Sequence, residues 1–181
     1  MEAITFQGFP KIARLNRDII ITEKIDGTNA QVIVTEDGQV AAASRTQLLT
    51  LTTDNFGFAR WVHEHEDDLR QLGPGRHFGE WWGQGIQRRY GLTEKRLSLF
   101  NVSRWNGDNM PSCVSIVPVM YTGPWGRTIV DACLAELSRT GSAAAPGFRD
   151  PEGVVVYHTA ANVSFKVTLK GDEQPKGQGT D

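Results

Sequence analysis

Ile19-Ile20-Ile21-Thr22 is an apolar run ending in Glu23-Lys24, and it predicts a buried strand. Ala30 to Thr35 predicts a second strand. Glu36-Asp37-Gly38 is a turn, and Gln39 to Ser44 is the return arm of a hairpin. From Asp54 to Leu72 the pattern changes period. Phe58, Trp61, Val62, His65, Leu69 and Leu72 recur at helical spacing, and Gly73-Pro74-Gly75 stops the helix. His77 to Trp82 and Arg96 to Ser103 predict strands. Val114 to Tyr121 is apolar but interrupted by Pro118, so it reads as an edge strand or extended loop. Arg127 to Arg139 is an amphipathic helix, and Gly141 to Pro151 a loop of small residues. Val154 to Tyr157 and Val163 to Leu169 are the closing strands. Many strands with two helices, not alternating regularly, predict an α+β fold.

Composition changes the picture little. The 181 residues, 39% hydrophobic and 22% charged, suit one soluble domain. Residues 1–172 are expected to form it, with 173–181 as a disordered tail. No apolar run approaches the roughly 20 residues of a membrane span, so no membrane partner is expected. The N-terminus has no signal-peptide core, and two cysteines, Cys113 and Cys133, cannot form a zinc motif alone. A cytoplasmic location is the expectation. Nineteen basic against 21 acidic residues give a net charge of −2, which argues against a generic nucleic-acid coat. Charge is uneven, however. Arg76 to Trp105 holds six basic and two acidic residues, so a local basic surface stays open.

Several stretches could carry chemistry. Lys24 ends a strand before the turn Ile25-Asp26-Gly27. In a pocket such an amine can become a nucleophile; on a solvated edge it is only a turn residue. Glu80 lies between glycines and tryptophans in Phe78-Gly79-Glu80-Trp81-Trp82-Gly83, where a carboxylate needs a partner such as a ribose. Phe100 is either core or a stacking platform for a purine. In Val163 to Lys170, alternation sets Lys166, Thr168 and Lys170 on one face, as a solvent face or a row of phosphate donors. His63 and His65 sit two apart on a helix and face different ways, a poor arrangement for zinc. Arg88-Arg89 and Lys95-Arg96 are either nucleic-acid contacts or a solvated loop.

The order Lys24, Glu80, Phe100, Glu152, Lys166, Lys170 resembles the motif order of the covalent nucleotidyltransferases: ATP- and NAD-dependent ligases and mRNA capping enzymes. Lys24-Ile25-Asp26-Gly27-Thr28-Asn29 is similar to motif I, with the Thr-Asn of RNA ligases at its end. Ser44-Arg45-Thr46 resembles motif Ia, Phe78-Gly79-Glu80 motif III, Leu99-Phe100-Asn101-Val102 motif IIIa, Glu152-Gly153-Val154-Val155 motif IV and Phe165-Lys166 motif V. The chain thus looks like a member of the ATP-dependent RNA ligase family of phage and trypanosome-editing type, over about residues 8–172.

The resemblance implies a nucleotidyltransferase domain, an ATP-grasp-like ligase adenylation fold of largely antiparallel sheets around a nucleotide cleft. It implies that Lys24 takes AMP from ATP, that the AMP passes to a 5′-phosphate end, and that a 3′-OH then displaces it. Lys166 and Lys170 would join Lys24 as catalytic residues. Glu23, Ile25, Asn29, Arg45, Glu80, Phe100 and Glu152 would hold nucleotide, Glu23 through its backbone. Glu152 would also hold Mg²⁺, with Mn²⁺ as a substitute. RNA or other polynucleotide ends are the implied partners, with a separate RNA-binding partner to supply what a minimal catalytic domain lacks. Thr168 departs from the Lys-x-Lys of many motif V sequences. The alternatives are a DNA or polynucleotide nick ligase, a guanylyltransferase, and a nucleotide- or RNA-binding module without turnover.

Overall fold

The structure, a computed structural model, describes residues 5–170. The expected tail at 173–181 lies outside the described residues. The chain runs β1 (Asp18–Lys24), β2 (Thr28–Val34), β3 (Val40–Ala43), β4 (Leu48–Leu49), α1 (Phe58–Glu64), α2 (Glu66–Leu69) and a 3-10 turn (Arg70–Leu72). It continues through β5 (Gly75–Gly83), β6 (Lys95–Leu99), β7 (Val114–Ile116), β8 (Val119–Pro124), α3 (Arg127–Thr140), β9 (Gly153–His158) and β10 (Val163–Thr168).

These strands form two sheets, ordered β10-β9-β1-β8 and β4-β3-β2-β5-β6-β7. All pairs are antiparallel except β6 with β7. The fold is α+β, as the pattern predicted. The first sheet buries Ile19, Ile21, Val154 and Val156 against Val130 and Leu137 of α3. The second buries Val32, Trp81, Leu97 and Leu99 with Phe58 and Val62 of α1. Each sheet thus has one face under a helix. A third apolar group, Ile25, Trp82, Tyr90, Val117 and Ala145, gathers where the sheets meet.

β1 and β2 are consecutive yet belong to different sheets. Ile25-Asp26-Gly27 is therefore the passage from one sheet to the other. Gly27 is required there by close approach: a Cβ on it would lie 2.4 Å from the Trp81 carbonyl oxygen and 2.8 Å from the Trp82 Cβ. Pro118 makes a second passage. It splits the predicted 114–121 strand into β7 on one sheet and β8 on the other, and its carbonyl accepts the Glu23 N–H at 2.9 Å.

Two other expectations need correction. The single helix over 54–72 is three short pieces. Asp54 accepts the N–H of Ala59 at 2.7 Å from outside the helix, and Gly57 enters it at φ 80°, so α1 starts at Phe58. His65 ends it, with φ −113° and its Nδ1 2.8 Å from the Trp61 carbonyl. The strand predicted to reach Ser103 ends at Leu99, because the Asn101 side chain accepts the Arg104 N–H at 3.1 Å and folds a turn. Among the described residues, no helix is long and apolar enough to cross a membrane.

Candidate nucleotide site between the sheets

A cleft of about 700 Å³ opens between the uncovered faces of the two sheets. Side chains alternate along a strand, so each wall is set by register. On the first sheet, Thr22 pairs with Val155 and Val155 with Lys166, and all three line the cleft. Lys24, two residues beyond Thr22, lies on the same wall. On the second sheet, Asn29 pairs with Glu80 and Gln31 with Phe78. Asn29, Glu80 and Phe78 line that wall, with Arg45 and Phe100. Eight predicted positions, Glu23, Lys24, Ile25, Asn29, Arg45, Glu80, Phe100 and Lys166, therefore meet at one cavity although up to 143 residues separate them.

Lys24 Nζ donates to Glu152 Oε2 at 2.6 Å, and both side chains are largely shielded. Lys24 pairs with Gly153 across β1 and β9, which brings Glu152 to the amine. Gly153 lies at φ 155°, and a Cβ there would sit 2.2 Å from the Val167 carbonyl oxygen. The bond is charge-assisted. The amine is thus paired with a carboxylate.

Glu80 Oε1 accepts the Gly27 N–H at 3.0 Å, tying the β5 wall to the passage after Lys24. Burial pushes the Glu80 carboxyl up to about 7, against the opposing pull of the Gly27 N–H and of Lys24. A shielded carboxyl on the cleft wall is chemically suited to accept from a hydroxyl. Phe100 is 42% exposed, with its ring on the cleft wall rather than in the core.

Of the predicted residues, Glu23 and Ile25 touch the cleft without turning a polar side chain into it, and Lys170 lies outside it. Glu23 is 1% exposed, and its side chain points away from the Lys24 wall. Its Oε2 accepts the N–H groups of Ala143 and Ala144, both at 2.8 Å, and burial raises its pKa. The Glu23 N–H is also taken, by Pro118. Ile25 belongs to the floor cluster with Trp82 and Tyr90. Lys170 is exposed and donates to Asp150 Oδ1 at 2.6 Å, outside the cleft lining. Its separation from Lys166 follows from the end of β10 at Thr168.

Arg88, read from the sequence as a nucleic-acid contact or a solvated loop residue, is instead engaged by two acids. Its Nε donates to Asp26 Oδ2 at 2.9 Å, and its Nη1 to Asp150 Oδ2 at 2.6 Å. Asp26 also donates its N–H to the Tyr90 phenolic oxygen at 2.7 Å. One guanidinium thus holds the Lys24 turn, the segment before Glu152 and, through Asp150, Lys170. The rest of the basic 76–105 stretch is largely engaged too: Arg96 with Glu94, and Lys95 with the Phe56 carbonyl.

A sequence model of the family described as RNA ligase matches residues 17–170. The chain belongs to the RNA ligase family. Among curated proteins none matches. Among solved structures the fold is similar to a Naegleria gruberi RNA ligase with pyrophosphate, at TM-score 0.63 and 22% identity, covering 84% of this chain and 50% of that one. A variant of that ligase with AMP and manganese gives TM-score 0.60 and 18% identity, over 85% and 50%. Another, with ATP and manganese, gives 0.60 and 19%, over 84% and 49%. At these identities the likeness is one of fold, and this RNA ligase family chain spans about half the length of those proteins.

The family implies a divalent cation. Among the described residues no three His, Cys, Asp or Glu side chains form a metal cluster. Magnesium needs no such cage, since it keeps waters and phosphate oxygens and takes one or two carboxylates. Glu152, shielded and beside the candidate nucleophile, fits that demand.

Proposed function

We propose that this chain is an ATP-dependent RNA ligase domain that works through a lysyl-AMP on Lys24. The observation that carries the reading is the convergence of Lys24, Lys166, Glu80 and Phe100 on one cleft at a sheet crossing, with Glu152 bonded to the Lys24 amine. Lys24 Nζ attacks the ATP α-phosphorus. A nitrogen–phosphorus bond forms, the bond to pyrophosphate breaks, and the ammonium gives up two protons, one before attack and one to solvent as the phosphoramidate forms. Glu152 Oε2, at 2.6 Å, is placed to take the first of them. Lys166 binds the α-phosphate oxygens as charge develops there. Glu80 accepts from a ribose hydroxyl, Asn29 and Arg45 complete the wall around the sugar and phosphates, and Phe100 stacks on adenine. Once that proton has passed on to solvent, Glu152 would hold Mg²⁺, which would neutralise phosphate charge. Alignment and charge neutralisation supply most of such a rate. The AMP then passes to an RNA 5′-phosphate, and a 3′-OH displaces it to seal the strand. Lys170 is left out of this machinery because Asp150 holds it.

Incubation with α-labelled ATP and Mg²⁺ tests the reading. The expected result is a denaturation-stable, acid-labile adduct, absent in Lys24→Ala and unlabelled by GTP. A folded wild-type protein that gives no adduct would refute it.

A further inference from the structure

The nucleotide reading uses the Lys24 end of the cleft as far as Phe100, whose N–H bonds the Phe78 carbonyl at 2.9 Å. Along β5 the cleft-facing positions continue Glu80, Phe78, Arg76, each step covering about 7 Å. That row runs away from Lys24: Trp81 pairs with Thr28 beside the sheet crossing, whereas Gly75 pairs with Val34 at the far end. Phe78 is 53% exposed, while its strand neighbours His77 and Gly79 are buried. Its ring is therefore displayed by register. Beside it, Arg76 Nη1 donates to Gln31 Oε1 at 2.8 Å, and Gln31 is the cross-strand partner of Phe78. The whole cleft is lined by Lys24, Arg45, Arg76, Arg104 and Lys166, against the acids Glu23 and Glu80. A mononucleotide needs one aromatic face, and Phe100 supplies it. Phe78 adds a further half-exposed ring beside Phe100, and the held guanidinium of Arg76 follows it one step further from Lys24, which suits a base and phosphate next to the nucleotide.

We propose that Phe78 is a stacking platform for a base of the RNA strand, with Arg76 on the adjoining phosphate. The inference rests on the RNA ligase reading above. Stacking on an aromatic face is tolerant of sequence, so the platform confers grip on a strand rather than a preference for one base. Backbone contact by Arg76 makes that grip sensitive to salt.

Binding of a short 5′-phosphorylated, fluorescently labelled single-stranded RNA, read by anisotropy, tests this. Phe78→Ala is expected to raise Kd about tenfold, and Phe78→Trp to restore it. Arg76→Ala is expected to lower the slope of log K against log salt by about 0.7. Because Phe78 is half exposed, its truncation leaves the core filled, and unchanged urea melts verify the fold. Equal RNA affinity in Phe78→Ala and wild type overturns the proposal. So does a Phe78→Ala protein whose ATP adduct formation falls while RNA affinity holds, since the ring would then belong to the adenine site. Absence of any adduct in the wild type sinks the parent reading instead, and that measurement is separate from anisotropy.

Discussion

Replacing Glu80 by glutamine separates a functional carboxylate from the stability it costs. Glu80 is held up at about 7 against an ordinary 4.5, chiefly by burial. Below 4.5 the folded and unfolded chains both carry the proton, and the group is neutral to stability. Between 4.5 and about 7 the folded chain keeps a proton that the unfolded chain has released, so stability falls as pH rises. Above about 7 both forms are ionised, and the full cost of burying the charge is present. A gap of ~2.5 at ~1.36 kcal/mol each is on the order of 3 kcal/mol. Glutamine has no proton to lose, and its amide oxygen still accepts the Gly27 N–H. Urea unfolding of wild type and Glu80→Gln from pH 4.5 to 8 measures the difference. Glu23, also raised by burial, is present in both proteins and cancels. The variant is expected to gain on the wild type by about 3 kcal/mol across that range, most of it between pH 5 and 7. Parallel profiles would show that the carboxylate is not held up by its surroundings, and the hydroxyl-accepting role argued from its burial would fall with it.

Four further outcomes follow from the same geometry. Gly27→Ala puts a methyl 2.4 Å from the Trp81 carbonyl oxygen and is expected to cost about 1–3 kcal/mol, read as a lower urea midpoint. Arg88→Met releases Asp26 and Asp150 together and should slow single-turnover labelling with ATP about tenfold, since small displacements of a nucleophile are expensive; an unchanged rate would show that the guanidinium does not position Lys24. Lys166→Met should slow labelling about a hundredfold, as loss of one donor to developing charge does, while Lys170→Met should stay within about twofold because its partner Asp150 is exposed.

The sequence made much of this molecule legible where a local rule governs. Ile19 to Thr22 announces a strand because one face lies under α3 and the other forms the cleft wall. Period two already sets Glu23 opposite Lys24, so the burial of the Glu23 side chain was available from the pattern alone. What local rules do not carry is sheet membership. Nothing in Ile25-Asp26-Gly27 says that its flanking strands join different sheets; that follows from pairings with β9 and β5, more than 40 residues away. Arg88 was hidden for the same reason, lying 62 residues from each of its two acids. His65 ended a helix that periodicity favoured, because its ring engages the Trp61 carbonyl.

The sheet crossing explains why these residues work together. A strand end alone would leave Lys24 on a solvated edge. Here the chain leaves β1 at Lys24 and enters the other sheet at Thr28, so the amine stands where both walls begin. Three contacts fix the passage between them: Gly27 to Glu80, Asp26 to Tyr90, and Asp26 to Arg88. Each joins the turn to the β5 sheet or the loop after it, while Glu152 anchors the amine to the other sheet. Lys24 is thus referenced to both walls at once. A nucleotide seated on Glu80 and Phe100 would meet the amine at a position set by backbone pairing rather than by the freedom of a lysine side chain.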